Sequence, residues 1–202
     1  MNRFVALDFE TSGLDTKRHA PVTLGVAMFD HGKVVREKEW TFAPPVDKHG
    51  KVSREYDLCA LEISGVTWKQ IKAGQPVADV MQELASFIGG DSALPVVAFN
   101  APFDFGWYSL CLYLGGSWSF AERRFKTFRP PLVGPWHCAQ LMSASTLEIE
   151  RYNLDTVCAH FGLARTGEHH GALEDAKLAG EVYLRLVEPA KASAGLGKDG
   201  DQ

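Results

Sequence analysis

No stretch of this chain approaches the roughly 18 consecutive apolar residues of a membrane-crossing helix, and no leader-like segment precedes the first apolar run. Cysteine is sparse: Cys59, Cys111, Cys138 and Cys158 stand far apart, with no C-x-x-C pair. Two disulfides could be drawn in principle, but without a secretory leader these thiols read as reduced, mostly small buried hydrophobes of a cytoplasmic protein. A basic excess is missing too. The formal net charge is -4, whereas a protein that only wraps duplex DNA is usually basic overall. A metal-dependent nuclease can be mildly acidic, because its carboxylates take up cations before phosphate approaches. There is no internal repeat and no second core, so 202 residues point to one sizeable domain.

What is present begins at the start of the chain. Arg3 to Leu14 reads RFVALDFETSGL, an apolar run carrying Asp8 and Glu10 and ending in Thr11-Ser12-Gly13. In a strand, residues two apart share a face. Asp8 and Glu10 then lie side by side and repel unless a cation sits between them. Oxygen-only ligands suit hard ions such as Mg²⁺ or Mn²⁺. Acid-x-acid at a strand end is common by chance, so the reading depends on further acids and a histidine downstream.

Strands are expected over Val22–Phe29 and Lys33–Phe42, joined by an Asp30-His31-Gly32 hairpin turn. A loop follows from Ala43 to Arg54. Val77, Val80, Leu84 and Phe87 form a helical stripe within Pro76–Ile88, stopped by Gly89-Gly90. Leu94–Phe99 fits a short buried strand, and a helix is expected over about Pro102–Leu114. Gly116 to Pro135 reads as irregular, and Trp136 to Met142 as re-entering the core. Asn153–Phe161 and Gly171–Val187 read as helices, the second with Ala172, Ala176, Ala179, Tyr183 and Leu186 on one stripe. The expected architecture is α/β, a mixed sheet with helices, occupying residues 1–187 ahead of a small and polar tail, 188–202.

Asp104 follows the buried strand, at the sheet end where open α/β folds bind ligands. The weaker alternative is a helix-start acid complementing the macrodipole. Asp175 lies close to the inward stripe of the last helix, whereas Glu174 points outward as the better candidate for a solvated acid. His170 is five residues before Asp175, about 140° away on a straight helix. It therefore works best from the loop just before the helix, as a general base that titrates near neutral pH. His169 shares the loop without independent support.

Asp8-Phe9-Glu10, Asn100 with Asp104, and His170-x4-Asp175 together resemble the DEDDh family of 3′–5′ exonucleases, over about Arg3 to Leu186. HGALEDAKLAGEVYL and SGVTWKQIKAGQPVADVM are similar to the branch containing the proofreading (epsilon) subunits of bacterial DNA polymerase III. The resemblance implies a ribonuclease H-like, five-stranded mixed sheet flanked by helices. It implies that Asp8, Glu10, Asp104 and Asp175 hold two divalent cations, Mg²⁺ or Mn²⁺, with Asp8 shared between them and His170 as general base. Phe99 departs from the histidine the family often carries before Asn100, and Phe9 sits where the family varies. The tail is shorter than the polymerase-binding tail of the proofreading subunit, which leaves open a stand-alone nuclease, a domain of a longer chain or a polymerase catalytic subunit as partner.

The implied substrate is a single-stranded DNA 3′ end. Thr11, Ser12 and Gly13 are expected to meet the terminal nucleotide through their backbone amides, near Asn100, since glycine admits close approach. Glu122–Arg129 (ERRFKTFR) carries Arg123 and Arg124 among phenylalanines, a pattern that grips single strands but also suits a solvated basic loop. RNA trimming, of RNase T or oligoribonuclease type, is the near alternative because 2′-OH discrimination depends on pocket shape. A non-catalytic nucleic-acid-binding protein is the distant one.

Overall fold

The computed structural model describes residues 3–116, 118–119, 124–125, 130–167 and 170–187, with 118–119 and 124–125 as backbone alone. Strand β1 (Arg3–Thr11) lies mid-sheet, and Phe4, Val5, Ala6, Leu7 and Phe9 are all buried. Helices cover both faces here, so the strand reads as a continuous apolar run rather than an alternating one. Phe4 and Ala6 join one core cluster with Tyr183, while Val5, Leu7 and Phe9 join another with Val80, Leu84 and Trp107. Asp8 and Glu10 continue the row of Phe4 and Ala6.

Strand β2 (Pro21–Asp30) runs antiparallel to β1, with Arg3 opposite Asp30 and Asp8 opposite Gly25. It turns into β3 (Lys33–Thr41) through His31 and Gly32, at φ 48° and 76°. Two successive positive φ values define the tight turn whose twist matches a hairpin. Most of β3 is exposed, and Arg36, Glu37, Lys38 and Glu39 alternate in sign along it.

Two short helices precede the expected one, and neither was placed from sequence. They are α1 (Leu58–Ser64), whose first turn is capped by the Asp57 carboxylate, and α2 (Trp68–Lys72), which opens on a Thr67/Gln70 capping box. Helix α3 (Val77–Phe87) buries Val77, Val80, Met81, Leu84 and Phe87, the stripe its spacing predicts. Strand β4 (Val96–Ala98) is fully buried and leads into α4 (Ala101–Leu114).

Part of the expected irregular stretch 116–135 lies outside the described residues. Within it β5 (Trp118–Ser119) pairs with β6 (Arg124–Phe125). Strand β7 (Trp136–Cys138) re-enters the sheet and passes directly into α5 (Ala139–Thr146). Helix α6 (Leu154–His160) is capped by Asn153, and α7 (Ala172–Val187) closes the described part. The tail expected from residue 188 lies outside the described residues.

The main sheet has five strands in the order β3-β2-β1-β4-β7, antiparallel across β3, β2 and β1 and parallel across β1, β4 and β7. That is the mixed α/β architecture expected. No helix among the described residues is long and apolar enough to cross a membrane. All four cysteines are free; Cys111 and Cys158 are buried as expected, whereas Cys59 is exposed on α1.

Candidate active site

The site forms where three parts of the chain meet at one end of the sheet. Asp8 and Glu10 come from β1. Asp104 comes from the first turn of α4 and is only 2% exposed. Its Oδ1 accepts the Phe9 N–H at 3.1 Å. The parallel pairing of β1 with β4 reaches only Val5 and Ala6. The Asp104 carboxylate thus takes up an amide of β1 beyond the end of that ladder, and the chain uses it to dock α4 beside the amino-terminal acids.

Asp175 arrives from the first turn of α7 and is 5% exposed. What lets α7 approach is Gly25, the residue opposite Asp8. A Cβ at Gly25 would lie 2.1 Å from the Ala172 carbonyl carbon and 2.1 Å from the Leu173 nitrogen. The first peptide of α7 therefore packs flat against the bare Cα of β2. Its Leu173 N–H donates to the Glu39 carboxylate of β3 at 2.9 Å, which satisfies a helix-start donor with an acid.

His170 lies in the loop just before α7, exposed, with its N–H donating to the Ile63 carbonyl of α1 at 3.2 Å. Its Nδ1 is 3.5 Å from Asp175 Oδ2. A carboxylate at Nδ1 favours the tautomer protonated there, which leaves Nε2 as the basic nitrogen. One ligand atom each from Glu10, His170 and Asp175 lies within 4.8 Å of the others.

Charge in this cluster is unbalanced. The Asp8 carboxyl is held well above the usual range, first by burial and then by Asp104, Asp175 and Glu10. Glu10 is pushed up to about 8 by burial and Asp175. Asp104 is pushed up to about 8 by burial, against the pull of the Phe9 N–H. Asp175 is raised by burial, opposed by Arg165. Buried carboxylates that resist ionisation together are what a hard divalent cation relieves. Asp8, Glu10, Asp104 and Asp175 offer oxygen ligands alone, which fits such an ion.

Arg165 was not singled out from the sequence. It is a lone basic residue in the loop after α6, with no periodic signal around it. Its Nη1 donates to Asp175 Oδ1 and its Nε donates to Asp155 Oδ1. Gly25 was missed as well, since a glycine inside an apolar strand announces only some close approach. Glu174, expected to be solvated, instead accepts from the Thr166 N–H and hydroxyl and holds the loop ahead of His170. Its neighbour Asp175 faces the sheet, so Glu174 is turned to this loop.

A cleft of about 500 Å³ opens beside Glu10, lined also by Gly13, Leu14, Cys59, Ile63 and Phe103. Thr11 and Ser12 are buried, and their side chains are spent within the chain. The Thr11 hydroxyl donates to the Gly13 carbonyl, and the Ser12 hydroxyl donates to the Glu55 carbonyl while accepting the Ala20 N–H. The Ser12 N–H donates to the Ala20 carbonyl, so the amide expected to meet a nucleotide is already paired. Gly13 stays on the cleft wall, its Cα set against the His19 ring. Asn100 is exposed just before α4, with no side-chain cap bond. Arg124 lies in β6 with its side chain outside the described residues, and Arg123 falls outside them altogether.

This fold recurs in solved exonucleases. The nuclease domain of 3′hExo, a DEDDh family member bound to rAMP, superposes with a TM-score of 0.69 at 12% identity, covering 92% of this chain and 91% of that one. Exonuclease X in complex with 5′ overhanging duplex DNA gives a TM-score of 0.62 at 19% identity, covering 92% and 90%. Exonuclease I of E. coli with a dT13 oligonucleotide gives 0.66 at 15%, covering 92% of this chain and 40% of that one. The architecture is thus that of ribonuclease H-like exonuclease domains. The chain belongs to the RNase T family of exonucleases, whose sequence profile matches residues 5–183. Among curated relatives, the PolC-type DNA polymerase III of Thermotoga petrophila is 30% identical over 190 residues and that of Thermotoga maritima 31% identical over 190. Each alignment covers 93% of this chain but only 12% of the polymerase.

Proposed function

We propose that the chain removes nucleotides one at a time from the 3′ end of single-stranded DNA, in a proofreading or repair role, with Asp8, Glu10, Asp104 and Asp175 holding two divalent cations, Mg²⁺ or Mn²⁺. The observation that carries this is the meeting of those four acids, drawn from β1, α4 and α7, with His170 3.5 Å from Asp175 and with Glu10 on the wall of the cleft. Bound cations would neutralise the scissile phosphate and favour ionisation of the attacking water. His170 accepts that water's proton at Nε2, while Asp175 facing Nδ1 stabilises the imidazolium that forms. The water oxygen bonds to phosphorus and the bond to the upstream 3′ oxygen breaks. A 5′-mononucleotide leaves, and the shortened strand regains its 3′ hydroxyl with a proton from solvent.

The terminal nucleotide enters the cleft past Leu14 and Phe103, beside Gly13. Asn100 and the segment holding Arg123 and Arg124 contact the strand behind it. In the PolC-type relatives the matching segment is part of a polymerase chain, which supports a polymerase partner for this one and, with it, action in the cytoplasm.

The test is shortening of a 5′-labelled single strand in Mg²⁺ or Mn²⁺ and its block by EDTA, on DNA and RNA of matched sequence. Faster loss of DNA supports the proposal. Preference for RNA moves the substrate to the RNA-trimming alternative, and no shortening of either removes the catalytic reading.

A further inference from the structure

Arg165 is the one cation the described structure places directly on the cluster. Its side chain is only 13% exposed, and Asp175 is 7% exposed in its side chain. The guanidinium bridges two first turns, holding Asp155 of α6 at 2.8 Å through Nε and Asp175 of α7 through Nη1. The second Asp175 oxygen, Oδ2, faces His170 Nδ1. One oxygen of this carboxylate is therefore already held by the chain's own guanidinium, and the other lies 3.5 Å from an imidazole nitrogen. An ion that binds Asp175 through Oδ1 meets an arginine already there.

We infer that Arg165 competes with the divalent cation for Asp175 and thereby sets the metal affinity of the site. Without metal, the guanidinium supplies counter-charge to buried carboxylates that would otherwise repel one another. When an ion arrives, the Nη1 contact opens and the Nε contact to Asp155 retains the side chain close by. Asp155 is 65% exposed, so its pair with Arg165 is screened and adds little attraction by itself. Its part is to keep the displaced guanidinium within reach of the site. Arg165 is a positioning residue here, since it acts through Asp175. A planar fork can hold both acids at once, whereas an ammonium is a single point of charge.

The inference rests on the metal site proposed above, and the experiment separates the two. Manganese alone, without nucleic acid, is titrated into the whole chain while free Mn²⁺ is followed by electron paramagnetic resonance. Arg165→Gln is expected to bind Mn²⁺ about tenfold more tightly than wild type, equivalent to ~1.4 kcal/mol. Without metal it is expected to melt at a lower temperature than wild type, with the gap closing at saturating Mn²⁺. Arg165→Lys is expected to fall between the two in affinity, and it replaces Arg165→Gln if that variant does not fold without metal. Wild-type binding matched or exceeded by both variants' dissociation constants, that is, no tighter binding in either, overturns the competition and leaves the metal site standing. A wild-type chain that takes up no manganese overturns both.

Discussion

Gly25→Ala should damage the proposed active site from the sheet beneath it. The added methyl would start 2.1 Å from two backbone atoms of the Ala172–Leu173 peptide. Non-bonded carbons settle at about 3.5–4.0 Å, so the start of α7 must retreat by roughly 1.5 Å. Backbone cannot rotate away as a flexible side chain would. Overpacking of this sort costs about 1–3 kcal/mol, and in a chain of this length 2 kcal/mol lowers the melting temperature by ~4–8 °C. Asp175 sits three residues beyond Ala172 and moves with it, away from Asp8 and Glu10. A shift near 1 Å in a catalytic group costs about 100-fold in rate. The assay pairs a thermal melt with the rate of single-strand shortening at saturating Mn²⁺. A Gly25→Ala protein with wild-type melting temperature and rate would refute the claim that this bare Cα seats α7.

Gly106→Ala should act in the opposite direction. Gly106 is inside α4, and a Cβ there meets only Thr16 Cγ2 at 3.8 Å, so better helix propensity should raise stability by about 0.5–1 kcal/mol; a lower melting temperature would contradict it. His170→Ala should lower the turnover rate far more than substrate binding, and turnover at the wild-type rate would remove His170 as the base. Stability without metal should also depend on pH. Glu10 and Asp104 are both raised to about 8 in the folded chain, against about 4 when unfolded. Between those values the folded state holds protons the unfolded state has released, so stability falls as pH rises through that window. In EDTA the protein should melt lower at pH 8 than at pH 6. Asp104→Asn should flatten that slope while its side-chain oxygen still accepts from Phe9, and a melting temperature that rises from pH 6 to pH 8 would reject this account.

The sheet and its main helices were legible because their signals are local. The hairpin announced itself in Asp30-His31-Gly32 between two strand-like runs, and α3 in the spacing of Val77, Val80, Leu84 and Phe87. Asp8 and Glu10 could be paired because a strand's repeat is two. The loop position of His170 followed from the angle that five helical steps would impose. Helices α1 and α2 were not legible, being too short for a periodic stripe, though Asp57 and Thr67-x-x-Gln70 carry their caps. Other features come from tertiary closure. The bridge of Arg165 between Asp155 and Asp175 joins residues ten apart on either side of it. The role of Gly25 appears only once α7 lies on β2. Ser12 looked available beside Gly13, yet its hydroxyl and amide close the turn onto Ala20 and Glu55.

The outer strand β3 carries a further consequence. Its charges are more than a solvated fringe: Glu39 receives the Leu173 amide in the first turn of α7, and Glu37 lies 3.2 Å from Lys177 one turn further along. A long unpaired edge invites a neighbouring chain to add a strand, and alternating charge discourages that. The residues that keep this border from joining a stranger also clasp the helix bearing Asp175. Softening the border with apolar substitutions would therefore promote clumping and loosen α7 in the same stroke.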